Sequence, residues 1–161
     1  MLKSQMQDAL NKQINAELHS SYIYLAMAAY CAQAGLMGMA HWLKLQAKEE
    51  VGHAMKIFQY VIDRGGNVAL SKIDVPKGSW ASPLDVFEAA YKHECYVSSL
   101  IDGLVADART HNDIATENFL QWFVAEQVEE EASAQEVVDK LELATNGAAL
   151  LVIDQWMASR S

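Results

Sequence analysis

The sequence predicts an all-α protein: a four-helix bundle with a long connection between its second and third helices, followed by a short fifth helix. The 161 residues include only two prolines and eight glycines, so long helices are rarely interrupted. Hydrophobic residues make up 52% of the chain, which is enough to form a buried core. They recur at alternating steps of three and four residues, the spacing of helices that pack in a left-handed bundle.

Two segments bounded by glycine predict the first two helices. Apolar periodicity covers residues 4–33 and stops at Gly35, then covers residues 37–64 and stops at Gly65. Because the link between them is short, these helices should form an antiparallel pair. The connection that follows, of roughly 16 residues, can span about 53 Å, which exceeds the second helix's length of about 42 Å. It is long enough to return along the bundle, so helices two and three should run parallel.

The remaining helices are indicated by the residues that flank them. Ser82 followed by Pro83 is typical of a helix N-terminus, as is Asp113 after a break, and Asn146-Gly147 is typical of a helix end. We expect these three helices over residues 83–110, 113–144 and about 148–158. The last is apolar on nearly all sides and too short to be stable alone. The whole chain, residues 1–161, should form a single domain.

Polar residues interrupt the apolar stripe of every long helix. They are Glu17, Glu50 with His53, Glu94, and Gln127 with Glu130. In the expected topology their heights along the bundle differ by about 7 Å or less, so they form one layer. A single polar residue in such a stripe more often sets helix register. Four carboxylates with no Lys or Arg in the same stripes would, however, cost roughly several kcal/mol each if left unpaired.

Two divalent cations would balance these four carboxylates charge for charge. Glu50 and His53 are three residues apart on one helix face and can share an ion. A ligand set of many oxygens and one nitrogen suits Fe(II), Mn(II) or Zn(II). Among these metals, a carboxylate-bridged pair with open positions best suits iron and O₂ chemistry. The sequence therefore predicts a two-metal centre in the core of the bundle.

The net charge and the N-terminal sequence indicate which binding partners and which compartment to expect. The net charge of −9 disfavours binding to nucleic acid, which requires cationic side chains, and it favours the attraction of cations. The N-terminus has no apolar signal segment, and no run of about 18 apolar residues predicts a membrane helix. The two cysteines do not make a disulfide framework, so we expect a reducing cytoplasm as the compartment and no membrane partner.

Four groups of residues carry a resemblance to a known family. They are Glu17 with Tyr24, Lys48-Glu49-Glu50-Val51-Gly52-His53-Ala54, Glu94, and Glu126-Gln127-Val128-Glu129-Glu130. With these residues the chain resembles the bacterial non-haem ferritins over essentially its full length. The resemblance implies a ferritin-like bundle with ferroxidase activity, the oxidation of Fe(II) by O₂, at a di-iron centre within each subunit. It also implies that iron is stored as mineral inside a hollow shell of twenty-four subunits.

The resemblance implies a role for each residue of the layer. The first iron would be held by Glu17, Glu50 and His53. Glu50 would bridge to the second iron, which Glu94 and Glu130 would also hold. These five side chains would form the ferroxidase centre.

Further residues would serve the same chemistry. Gln127 would hydrogen-bond at the centre, and Tyr24 would hydrogen-bond a ligand or donate an electron. A third iron site is implied by Glu49, Glu126 and Glu129, for which the alternative is three solvated acids on helix faces.

Two departures separate the chain from haem-binding relatives. Gln127-x-x-Glu130 stands where a haem-binding bacterioferritin has Glu-x-x-His, and Val51 stands where such a protein has its haem-binding methionine. No haem is therefore expected. Iron would enter near the start of the fourth helix, where Glu117 is the candidate pore carboxylate.

Alternatives remain for the fifth helix and for the function. By resemblance, the fifth helix would pack with copies of itself around fourfold axes, the alternative being a cap on its own bundle. A di-iron oxidase or peroxidase that stores no mineral would use the same layer. A structural bundle, in which the layer only sets register, is the third function class.

Overall fold

The computed structural model describes residues 1–161 and contains five α-helices and no strand. They are α1 Ser4–Gln33, α2 Met37–Asp63, α3 Pro83–Thr110, α4 Ile114–Glu142 and α5 Gly147–Met157. Every expected helix is present, with each end within about two residues of the sequence prediction, which is the usual uncertainty of helix boundaries. The prediction of an all-α protein is confirmed. No helix is both long and apolar enough to cross a membrane.

Local chemistry accounts for where the helices begin and end. The Ser82 hydroxyl accepts a hydrogen bond from the Asp85 amide at 3.1 Å, and Asp113 accepts one from the Thr116 amide at 3.2 Å. Both are N-caps, as the sequence predicted. Asn146 instead caps the start of α5, accepting from the Ala149 amide at 3.0 Å, so its main role is to begin the fifth helix rather than to end the fourth.

Contacts at one end of the bundle establish the direction of the helices. The Leu2 amide donates to the Arg64 carbonyl at 3.1 Å, and Lys3 Nζ donates to the His111 carbonyl at 2.6 Å. Arg64 Nη2 also pairs with Asp113 Oδ1 at 3.0 Å. The start of α1 therefore meets the ends of α2 and α3 and the start of α4. Helices α2 and α3 run parallel to each other and antiparallel to α1 and α4, as predicted.

The segment between α2 and α3, residues 64–82, is a crossover without helix or strand that follows α1 along the bundle. Asn11 Nδ2 donates to the Asn67 carbonyl at 3.0 Å. Farther along, Trp80 packs edge-on against Tyr30 with ring centroids 5.6 Å apart. These contacts lie at opposite ends of α1, so the crossover returns the chain to the end where α3 can start parallel to α2.

The apolar core is divided into two parts by the polar layer. One part is built around Tyr24, Leu43 and Phe87, and the other around Leu10 and Phe123. On each of the four long helices, the polar residues lie in sequence between the residues of the two parts. The bundle is therefore apolar at both ends and polar in the middle.

Helix α5 packs back onto its own subunit. Met157 is buried, and the Asp154 carboxylate accepts hydrogen bonds from the Gly38 amide at 3.1 Å and the Met39 amide at 2.8 Å. It thereby caps α2, whose own N-cap residue offers no side-chain cap. A Cβ at Gly38 would overlap the Asp154 carbonyl, so only glycine fits at this contact. The outer face of α5 stays apolar and exposed, with Leu151 and Val152 uncovered in the single chain.

Replacing Asp154 with alanine should lower the free energy of unfolding by about 1–2 kcal/mol, because a cap that satisfies two amides at a helix N-terminus is removed. The measurement is urea unfolding of the metal-free protein at fixed protein concentration. Asp102→Ala is the matched control, since it removes an exposed carboxylate that has no capping contact. Equal stability of the two variants would show that the cap contributes nothing.

Candidate metal centre

The six polar residues of the layer are all buried. Their exposed fractions range from 1% for Glu17 and Glu94 to 6% for His53 and Glu130. The periodic helices bring them inward because each occupies a position in the apolar stripe of its helix. The structure thus places every residue of the expected layer in the interior.

Glu17, Glu50 and His53 form one group of possible metal ligands. One ligand atom from each lies within 4.8 Å of the others, and Glu50 Oε2 is 3.4 Å from His53 Nδ1. Glu17 Oε1 accepts a hydrogen bond from Gln13 Nε2 at 2.8 Å. Its other oxygen, Oε2, is buried and has no partner. A buried carboxylate oxygen without a partner is costly, and a cation bound by this group would satisfy it.

Glu94 is held on the opposite side of the layer by neutral donors. Its Oε2 accepts from Gln127 Nε2 at 3.1 Å, and its Oε1 accepts from the Tyr24 hydroxyl. Gln127 Nε2 also lies 3.3 Å from the Glu94 backbone carbonyl. Glu94 does not lie within the tight group of the first three residues, and its two oxygens face Tyr24 and Gln127 instead.

One amide joins the carboxylates of α2 and α4. Gln46 Nε2 donates to Glu50 Oε1 at 3.1 Å and to Glu130 Oε2 at 2.7 Å. Because Gln46 is fully buried, its Nε2 group cannot donate to water, and the two carboxylates are its hydrogen-bond acceptors. Gln46 therefore fixes the separation of two carboxylates that are expected to face the same ions.

The acids of the expected third site are not gathered as a set. Glu126 is half-buried, and its ligand atom groups with those of His53 and Glu130 within 4.8 Å. Glu49 is exposed and lies 2.5 Å from Arg160, whereas Glu129 is exposed and belongs to neither ligand group. In the single chain, therefore, Glu126 is the one acid of the three that belongs to a ligand group with the inner residues.

Burial raises the pKa of every carboxyl group in the layer, and repulsion within the layer adds to this for Glu17, Glu50 and Glu130. Burial, and then the neighbouring Glu50, raise the pKa of Glu17 to about 8. Burial and the charges of Glu94 and Glu130 raise the pKa of Glu50 well above its usual range. Burial also raises the pKa of Glu94, and burial with the charge of Glu94 raises that of Glu130 to about 7. Without cations the layer retains protons near neutral pH, and divalent cations would replace them.

Several residues that complete the site were not singled out by sequence reasoning. Gln13 and Gln46 are buried amides that hold the carboxylates, and their positions one turn before Glu17 and Glu50 were the available signal. Trp122 packs edge-on against His53 with ring centroids 5.5 Å apart. Arg160 reaches Gln46 from more than 100 residues away, and no local pattern could indicate that contact.

The candidate pore residue lies outside the layer. Glu117 Oε1 is 2.6 Å from Arg109 Nε in an ion pair on the surface at the start of α4. In the single chain this carboxylate is therefore neutralised by a neighbouring guanidinium.

The donor set of the layer fits hard or borderline divalent cations. It offers carboxylate oxygens from all four long helices and one imidazole, with a buried acceptor left unpaired. Oxygen-rich ligand sets of this kind bind iron in other four-helix bundles. Two groups of possible ligands lie in or beside the layer, Glu17 with Glu50 and His53, and Glu126 with Glu130 and His53, so His53 belongs to both.

Comparisons with known proteins show which family this chain is similar to. A family model described as "Ferritin-like domain" matches residues 7–144. The chain is 46% identical to the bacterial non-heme ferritin of Bacteroides fragilis strain 638R, covering 99% of this chain and 100% of that protein. It is 39% identical to that of Campylobacter jejuni, covering 98% and 95%. Among solved structures, an open pore ferritin from the hyperthermophilic archaeon Archaeoglobus fulgidus superimposes with a TM-score of 0.99 at 48% identity, covering 100% of both chains.

Proposed function

Because this chain belongs to the ferritin family, we propose that it stores iron and oxidises Fe(II) with O₂ as a ferroxidase. Fe(II) is the substrate, and each ion gives up one electron to O₂ before it passes into storage. The observation that carries the proposal is the buried layer of four carboxylates, in which Glu17 Oε2 has no partner and no Lys or Arg side chain makes an ion pair. A layer that only set register would be expected to satisfy its own buried polar atoms.

The first Fe(II) is assigned to Glu17, Glu50 and His53, whose ligand atoms already lie together. The second is assigned to Glu94 and Glu130, with Glu50 shared between the two ions. The 2.7 Å hydrogen bond from Gln46 to Glu130 supports this sharing, because the same amide also holds Glu50. Binding the ions displaces the protons that the buried carboxyl groups otherwise retain.

Gln127 and Tyr24 are assigned to orient the second half of the centre. Both hydrogen-bond Glu94 from opposite sides, which leaves that carboxylate little freedom to rotate. Burial, and then the charge of Glu94, raise the pKa of Tyr24 well above its usual range. Tyr24 therefore stays protonated and donates to Glu94, and this position next to a ligand also suits an electron donor.

A third Fe site is proposed at Glu49, Glu126 and Glu129, with Glu130 shared. The grouping of Glu126 with Glu130 supports it, and the charge of Glu49 contributes to the raised pKa of Glu130, so Glu49 is within electrostatic reach. Glu129 would have to turn inward to take part. Haem is not part of the proposal, because Val51 stands in place of the haem-binding methionine and Gln127-x-x-Glu130 in place of the Glu-x-x-His pair of haem-binding bacterioferritins.

The storage part of the proposal requires self-association into a hollow twenty-four-subunit shell. The exposed apolar face of α5 supports it: Val152 and Trp156, together with Leu143 at the end of α4, border a groove of about 510 Å³ that is open in the single chain. We assign this face to contacts among copies of α5 around fourfold axes, in addition to the contact with its own bundle. Glu117 is assigned to the iron entry route. The compartment we propose is the cytoplasm.

Aerobic iron loading followed by size-exclusion chromatography tests the proposal. The metal-free protein receives Fe(II) far in excess of three per chain, and iron and protein are followed through the column. We expect iron to co-elute with a large shell in amounts well beyond what the ligands can hold. Iron that stops at two or three per chain would instead support the second candidate, a di-iron oxidase or peroxidase without storage, which uses the same layer.

A further inference from the structure

The C-terminal tail, residues 158–161, brings a cationic side chain to the edge of the metal centre. Arg160 Nη2 lies 2.5 Å from Glu49 Oε2, and Nη1 donates to Gln46 Oε1 at 3.0 Å. The guanidinium carbon lies 4.3 Å from the centroid of the Trp42 ring, within the range of a cation–π contact. The three partners lie on one face of α2, at spacings of four and three residues.

The tail is anchored by its backbone as well as by its side chain. His41 Nε2 lies 2.9 Å from the Arg160 carbonyl oxygen, and the Arg160 amide donates to the Met157 carbonyl at 3.3 Å. Met157 itself is buried. With these contacts the Arg160 side chain is 23% exposed. Its position is fixed by contacts with α2 and α5.

Arg160 is connected to the inner carboxylates through one amide. Because its guanidinium donates to Gln46 Oε1, the other end of that amide, Nε2, faces Glu50 and Glu130. Guanidinium and carboxylates thus favour the same orientation of the amide. The cation at the tail and the two-metal centre are separated by a single side chain.

The pairing with Glu49 has a further consequence for metal binding. A guanidinium cannot make room for a metal ion by losing its proton, because arginine stays charged at all physiological pH values. A divalent cation bound to Glu49 would lie close to that fixed positive charge and would be repelled by it. Metal and Arg160 therefore cannot both bind Glu49 at full strength.

We propose that Arg160 is a built-in competitor for the third iron: it neutralises Glu49 while two ions are bound, and it must leave Glu49 before a third ion binds. This inference rests on the proposed function, since Glu49 belongs to the proposed third site. The third ion is thereby held more weakly than the inner two, and the tail sets how readily it exchanges.

Anaerobic titration with Zn(II), with binding measured by calorimetry, tests this inference without any redox step. The proteins compared are the wild type, Arg160→Gln, Arg160→Lys and Glu49→Gln. We expect the wild type to bind two ions tightly and a third more weakly per chain. Arg160→Gln should bind the third ion about threefold to tenfold more tightly, the effect of removing a partly exposed, charge-assisted ion pair. Arg160→Lys retains the charge and should remain close to the wild type, and Glu49→Gln should lose the third ion.

Two outcomes overturn the inference, and they are distinguishable from each other. If the inner two ions bind but the third is not tighter in Arg160→Gln, Arg160 does not compete for Glu49. If the wild type binds fewer than two ions tightly, the proposed metal centre itself is wrong, and the inference fails with it. A crystal structure of the Zn(II)-loaded protein gives an independent readout, because Arg160 should be withdrawn from Glu49 in chains that hold a third ion.

Discussion

Replacing Glu50 and His53 together with alanine should slow the fast phase of Fe(II) oxidation by on the order of 100-fold or more. The double variant removes the carboxylate expected to lie between both ions and the only imidazole of the layer. Removing even a group that only supports a metal ligand lowers metal affinity or activity by about 10- to 100-fold. Removing two ligands should lower activity by at least as much. The measurement is stopped-flow oxidation of two Fe(II) per chain.

The fold should survive this double substitution. Burial raises the pKa of Glu50 well above its usual range, which means that a charged Glu50 side chain in the interior costs stability. Removing this side chain removes that cost, which offsets part of the stability lost to the cavity that the substitution creates. Helicity and shell size should match those of a control, Glu142→Ala with His111→Ala, which removes one carboxylate and one imidazole outside the layer. Oxidation at the wild-type rate in the Glu50 and His53 double variant would refute the site assignment.

The metal-free protein should become less stable as the pH rises from about 5 to about 8. Glu17 has a pKa of about 8 in the folded protein and Glu130 one of about 7, both above the ordinary value of 4.5. Between these values the folded state binds more protons than the unfolded state, so the free energy of unfolding falls with increasing pH. The contribution of the protonated layer to the free energy of unfolding is complete below pH 4.5. It is lost as the pH rises through the pKa values that Glu130 and Glu17 have in the folded protein.

The expected size of this effect is on the order of 4 kcal/mol across the range, because one pKa unit corresponds to about 1.4 kcal/mol and the groups titrate as a coupled set. Thermal unfolding at several pH values measures it. Two equivalents of Zn(II) should remove or reverse the trend, since metal binds the deprotonated carboxylates. Glu17→Gln should flatten the metal-free profile. A metal-free protein that is equally stable at pH 5 and pH 8 would contradict the buried, cation-free layer described above.

The fold could be predicted from the sequence because long, strongly periodic helices dominate it. The stripes that place Leu10, Leu43 and Phe123 in the core also place Glu17 and Glu50 there, so the layer follows from the same pattern. The length of the crossover was enough to determine that α2 and α3 run parallel, because a short link would have required an antiparallel pair.

The details of the site were less predictable, for a physical reason. Asp154 caps α2 and Arg160 contacts Gln46 across more than 100 residues of chain, and such contacts depend on how α5 docks rather than on any local spacing. The grouping of Glu126 with His53 and Glu130 depends on side-chain reach between two helices. Periodicity specifies which face of a helix is buried, but it does not specify which atoms meet across that face.

The crossover over residues 64–82 also has a kinetic consequence. The pairs α1–α2 and α3–α4 are joined by short loops and can form early, whereas bringing the two pairs together requires closure of the long connection. Glu17, Glu50 and His53 belong to the first pair, so the proposed first iron site would be complete before docking. Glu94 and Glu130 belong to the second pair, so the proposed second site would gain Glu50 only when the pairs meet. An ion bound through Glu50 would then join the two halves of the folding chain.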